Sequence, residues 1–213
     1  ASVPVEAGAL KGTIEGRLRV DFETGTTARD AATTFAIDAT TSNLMIDKLI
    51  GREKLESGAL HIVADRAGLR VSGTGRLFGA PATLDVRRGF GDKGPAQAQV
   101  AFTFDDAARQ RAGYAIAGVS GPILATIRTP IPVENVDTQI ELDLTRTNFD
   151  NPFPGLVKPA GKPAKSSFTL TRHGEAMSLE QFIFDAGPTQ AQGVIEFGRD
   201  GAFRAAHLSQ ARL

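Results

Sequence analysis

The feature that most constrains this chain is an alternation of period two. In Gly12–Phe22 the even positions are Gly12, Ile14, Gly16, Leu18, Val20 and Phe22, and the odd ones are Thr13, Glu15, Arg17, Arg19 and Asp21. Successive side chains of a strand point to opposite faces, so this segment has one apolar and one charged face, whereas a helix would scatter the same residues around its axis. The pattern returns at Phe35–Ala39, Leu60–Ala64, Leu69–Leu77, Ala82–Val86 and Ala96–Phe104. It returns again at Ile123–Ile131, Asp137–Thr145, Ser167–Thr171, Ser178–Asp185, Ala191–Phe197 and Ala202–Leu208, with Tyr114–Val119 a further candidate. Short turn signals such as Arg66-Ala67-Gly68, Gly79-Ala80-Pro81 and Gly187-Pro188 separate these segments. Short connections join antiparallel neighbours, so the expected fold is an all-β antiparallel meander of roughly a dozen strands.

Helix is scarce. Asp105–Gly113 has an Asp N-cap, good helix formers and a terminal glycine, enough for about two turns. Asn43–Glu56 reads either as a short helix with Leu44, Ile46, Leu49 and Ile50 on one face or as an irregular crossing loop. Asn148–Lys165 carries Pro152, Pro154, Pro159 and Pro163 with Gly155 and Gly161, which excludes a central strand. That loop is expected to cap the end of a sheet or to cross between its edges. Residues 1–213 are read as a single β domain, with the 148–165 loop as the place where it would subdivide.

A sheet of amphipathic strands must cover its apolar face, since burying a Leu, Ile, Val or Phe is worth about 1.5–3 kcal/mol. Two architectures remain open: a curved, taco-like sheet with an apolar concave face, or a closed β-sandwich or barrel. Helices are too few to do the covering. The aromatic content is 13 Phe, one Tyr and no Trp, a greasy interior that lacks the exposed Trp and Tyr platforms of sugar-binding modules.

Little in the chain points to catalysis. The three histidines, His61, His173 and His207, have no local metal-ligand spacing, so no metal and no cofactor is expected. Gly89-Phe-Gly-Asp-Lys-Gly94 matches the dinucleotide pattern in form, but Pro95 and another alternating strand follow where a helix is required. Ser120 lacks the strand–turn–helix context of a nucleophile elbow. Asp105-Asp106 reads as a helix cap. The 24 basic and 24 acidic residues balance, which argues against nucleic acid as a partner. No apolar run reaches the ~18–20 residues of a membrane helix, and the absence of cysteine excludes disulfides and thiol chemistry.

One ordered set of motifs does point somewhere. Leu55-Glu-Ser-Gly58-Ala-Leu-His-Ile-Val-Ala-Asp65 runs into Leu69-Arg-Val-Ser-Gly73-Thr-Gly75-Arg-Leu-Phe-Gly79-Ala-Pro81. The short Phe104–Gly113 helix follows, then Ile140-Glu-Leu-Asp-Leu144-Thr, Lys158-Pro-Ala-Gly161-Lys-Pro163-Ala, Ala191-Gln-Gly193-Val-Ile-Glu-Phe and Ala205–Leu213. This order, from about Ala31 to Leu213, resembles the AsmA-like superfamily, the YhdP- and TamB-type periplasmic proteins of Gram-negative bacteria, and the YhdP central region in particular.

The resemblance implies a non-enzymatic segment of a long, curled β-groove that shields phospholipid acyl chains between inner and outer membrane. It implies a periplasmic chain that is an internal fragment of a longer one, anchored to the inner membrane through a segment absent here, with envelope proteins at either end. The alternative is a structural or interaction β module of the cell envelope without ligand. The expected groove residues are Ile14, Leu18, Val20, Phe22, Phe35, Ile37, Leu69, Val71, Leu77, Leu84, Val86, Val100, Phe102, Phe104, Ile140, Leu142, Leu144, Phe168 and Leu170. Gly73 and Gly75 lie on the same face, where a missing side chain would sharpen curvature, admit an acyl chain to the backbone or mark a bulge. Exposed strand edges at the ends of such a sheet are expected to drive self-association.

Overall fold

A computed structural model describes residues 10–22, 33–50, 53–91, 93–131, 136–152, 155–174, 176–198 and 202–212. Among these residues the fold is all-β with one short helix. Strands β1 (Leu10–Phe22), β2 (Thr33–Ile50), β3 (Glu53–Ala64), β4 (Gly68–Leu77), β5 (Ala80–Gly89) and β6 (Ala96–Phe104) come first. The helix α1 (Asp106–Ala112) and strands β7 (Val119–Ser120), β8 (Ile123–Ile131) and β9 (Thr138–Asp143) follow. The chain closes with β10 (Asn148–Asp150), β11 (Val157–Lys158), β12 (Lys165–His173), β13 (Ala176–Ala186), β14 (Thr189–Phe197) and β15 (Phe203–Arg212). Twelve strands form one antiparallel meander in the order β1-β2-β3-β4-β5-β6-β8-β9-β12-β13-β14-β15, which is not closed into a barrel. The remaining three make a small sheet, β11-β10-β7.

Three segments resolve in ways the sequence left open. Asn43–Glu56 is neither helix nor loop where described: it is the end of β2 and the start of β3, with register shifts and Asn43 at φ 52 absorbing the irregularity. Of Tyr114–Val119 only Val119 is in a strand. The Pro/Gly loop contains β10 and β11, whose pairing with β7 and with each other satisfies part of its backbone. Contacts divide the chain into two compact units, residues 1–77 with 81–98 and residues 78–80 with 99–213, so the 148–165 loop lies inside the second unit.

In the first unit, Ala39, Leu55, Leu60, Ala64, Leu77, Ala82, Leu84 and Ala98 are buried. Gly73 belongs to this core for a steric reason. A Cβ there would sit 2.1 Å from the Ala59 carbonyl oxygen and 2.9 Å from Leu60 Cα, so β3 itself occupies the space a side chain would need. The glycine therefore serves close strand approach rather than room for a ligand. On the charged face, Asp85 lies between Arg70 (2.7 Å) and Arg87 (2.6 Å). The hydrogen bond from Arg87, with that from Arg70, holds its carboxyl below the usual range against the opposing effect of burial.

In the second unit the helix forms as its caps dictate. The Asp105 carboxylate accepts from the Ala108 N–H at 2.7 Å, and Gly113 ends the helix at φ 77. Buried Arg109 ties the helix down, donating to the carbonyls of Phe104 (2.7 Å) and Gly121 (2.8 Å) and to the Asp106 carboxylate. Phe78 and Gly79 sit at φ 54 and 73, the pair of positive values a two-residue type I′ hairpin loop requires. The sequence pattern places this turn one residue later. For a bulky residue such a backbone costs about 1–2 kcal/mol. The Phe78 ring offsets that by packing on Phe102 and Phe104, with centroids 5.5 and 5.2 Å away.

Candidate apolar binding face

Directly paired residues of neighbouring strands share a face, so the registers of the second unit show which side chains line up. On β9 and β12, Ile140 faces Phe168, Leu142 faces Ser166 and Thr138 faces Leu170. On β12 and β13, Leu170 faces Leu179 and Ser166 faces Phe184. The Phe168 and Phe182 rings lie 6.5 Å apart. On β13 and β14, Met177 faces Phe197, Leu179 faces Ile195 and Phe182 faces Gly193. A contiguous apolar row thus crosses four strands. Ile140, Leu142, Phe168, Leu170, Leu179, Phe182, Phe184, Ile195 and Phe197 are all half-buried: neighbours pack against their flanks while part of each side chain stays in solvent.

The opposite face of the same strands carries Gln139, Glu141, Asp143, Lys165, Ser167 and Thr169. Arg128 bridges this face, donating to Glu141 at 2.6 Å and to Gln99 at 3.0 Å. Asp143 is held below the ordinary carboxylate range by hydrogen bonds from the Thr145 side chain and backbone N–H. The sheet is therefore wet on one side and half-covered apolar on the other.

One end of the row is capped. Leu144, Phe149, Leu156, Ala164 and Ala186 form a small buried core, and Leu142 and Phe184 pack against it. The Pro/Gly loop thus folds over the sheet end, one of the two roles its prolines allowed. Lys158 locks it. Its buried ammonium donates to the carbonyls of Thr147 (2.6 Å), Lys162 (3.1 Å), Pro159 (3.2 Å) and Thr145 (3.4 Å) and lies 5.5 Å from the Phe149 ring centroid. Burial lowers its pKa, and the Asp143 carboxylate opposes that shift. Beside the cap is a cleft of about 1180 Å³ with Leu124, Val157 and Ile183 among its walls and Glu141, Asp143, Asp185 and Lys165 around them.

The expected groove residues fall into three classes. Leu77, Leu84, Val100, Phe102 and Leu144 are fully buried in their units. Phe35, Ile37, Leu69, Val71, Val86, Phe104, Ile140, Leu142, Phe168 and Leu170 are half-buried and present surface. Ile14, Leu18 and Val20 on β1 are exposed; the side chain of Phe22 is outside the described residues. The structure brings Ile140, Leu142, Phe168 and Leu170 together in the row of the second unit. In the first unit, Leu18 faces Ile37, Val20 faces Phe35, and Leu69 faces Ala64.

Sequence reasoning missed Leu179, Phe182, Phe184, Ile195 and Phe197. A bulge in β13 bears on Phe182 and Phe184. Pairing shifts between Leu179 and Phe182, with Gln181 at φ 52, so the inward parity changes from odd to even within β13. The out-of-phase spacing of Leu179 against Phe182 and Phe184 was the available signal. Among the described residues no group of three or more His, Cys, Asp or Glu is placed to hold a metal ion. Comparison with known proteins finds no matching family model, no matching curated protein and no matching solved structure.

Proposed function

We propose that this chain is a segment of an envelope lipid-transfer protein, non-enzymatic, that holds phospholipid acyl chains against an apolar β-face. The observation that carries the reading is the contiguous half-buried row of the second unit, backed by a charged face. Half-burial leaves part of the driving force for covering these side chains, about 1.5–3 kcal/mol for each full burial, still available to an apolar ligand. An acyl chain needs no directional partner, which suits a surface of Leu, Ile and Phe. The order of motifs resembling AsmA-like proteins supports the same assignment. On that reading the chain works in the periplasm, tethered to the inner membrane by a segment outside this sequence, and meets envelope proteins at its ends. A second reading, a ligand-free structural module of the envelope, is favoured by the exposed strand β1.

Mass spectrometry of lipid extracted from the purified protein separates the two, with an unrelated β protein of similar size as control. Enriched, near-stoichiometric phospholipid is the expected result. Lipid at the control's level would favour the structural module.

A further inference from the structure

A separate feature sits at the first edge of the meander. Among the described residues β1 pairs only with β2, and none of them lies along the outer edge of this 13-residue strand. Every residue from 11 to 21 is exposed, including Ile14 at 64%, Leu18 at 67% and Val20 at 38%. The strand has no proline, and its pairing with β2 is regular from Thr13 to Phe22. Such an edge is a template for another strand.

We propose that the occupant is β1 of a second copy of this chain, paired antiparallel about a twofold axis at Gly16. The argument is the order of charges. Opposed residues must share a face, so a twofold pairing is centred on a residue. Centred on Glu15 it sets glutamate against glutamate and Lys11 against Arg19. Centred on Arg17 it opposes two arginines, and centred on Leu18 it opposes Arg17 to Arg19 and Glu15 to Asp21. Centred on Gly16, Glu15 meets Arg17 of the second copy, Lys11 meets its Asp21, Thr13 meets its Arg19 and Ile14 meets its Leu18, each twice by symmetry. This register opposes no like charges and covers two of the exposed apolar side chains on each copy. Opposite charges and apolar pairs directly across a ladder stabilise it, and like charges destabilise it. The other edge strand, β15, carries Arg204, His207 and Arg212 and no acid, so it lacks this self-complementary pattern.

The inference is independent of lipid binding, and sedimentation velocity of the whole chain over a range of concentrations tests it. The wild type is expected to form a reversible dimer. Glu15→Arg sets arginine against arginine in both symmetry-related pairs and should weaken the dimer by about tenfold or more. Glu15→Arg with Arg17→Glu restores both pairs in the Gly16 register and should recover wild-type affinity. In the Arg17-centred register the same double change would oppose an arginine to Arg19, so recovery is specific to the Gly16 register. Both positions are exposed, so circular dichroism should be unchanged in each variant. A monomer throughout the concentration range, a dimer indifferent to Glu15→Arg, or no recovery in the double variant would overturn the proposal.

Discussion

Replacing Phe102 by alanine is expected to destabilise the protein by about 3–5 kcal/mol, the range for emptying a buried aromatic site. Phe102 is 5% exposed. Its ring meets Phe78 at 5.5 Å and Phe104 edge-on at 5.7 Å, and the Phe104 ring continues to Tyr114 at 6.2 Å. Removing it leaves a cavity and also withdraws the packing that holds Phe78 in its positive-φ turn. Denaturant unfolding should show the midpoint falling. Alanine at Leu170, whose side chain is only half-buried, should cost less than half as much. Equal costs at the two positions would contradict the division between core and binding face.

Lys158→Met should release the cap. Methionine matches the length and can keep the contact with the Phe149 ring, but it donates no hydrogen bond. The carbonyls of Thr147 and Lys162 would then lose the ammonium donor in a site where Lys158 is 4% exposed, while that of Pro159 keeps the Lys162 N–H. Each unsatisfied buried group costs about 1–3 kcal/mol, reduced where water can enter, so a loss of about 3 kcal/mol is expected. The loss should be local, because the twelve-strand meander does not pass through Lys158. Hydrogen exchange should therefore accelerate at the amides of Leu144, Thr147 and Asn151, which bond within the cap, while β4 and β5 keep their protection. Uniform acceleration across the chain would show that the cap is not an independent element.

Most of the architecture was legible because one face of each strand had to be apolar. Period two located the sheet strands, and the Asp105 and Gly113 caps located the helix. What the alternation could not convey is how deeply a given apolar position is covered. Leu77 and Leu170 sit in equally clean alternating segments, yet Leu77 is fully buried and Leu170 is not. Burial depends on what lies across the face, which is set by residues far away in sequence. The second gap is parity. A bulge at Gln181 reverses which side chains face inward, so a strand read with one parity loses Phe182 and Phe184. Gly73 shows a third limit: the sequence marks a missing side chain, and only the position of Ala59 explains why it is missing.

The proposed function stands on the apolar row of the second unit being a surface for acyl chains. Photolabelling with a phospholipid carrying a diazirine in its acyl chain, followed by peptide mapping, reads that surface residue by residue. Adducts are expected on peptides of β12, β13 and β14 at Phe168, Leu170, Phe182 and Ile195, lost on Leu170→Asp with the fold intact. Adducts confined to the charged face at Gln139, Glu141 and Thr169, or labelling no greater than that of an unrelated β protein, would contradict it.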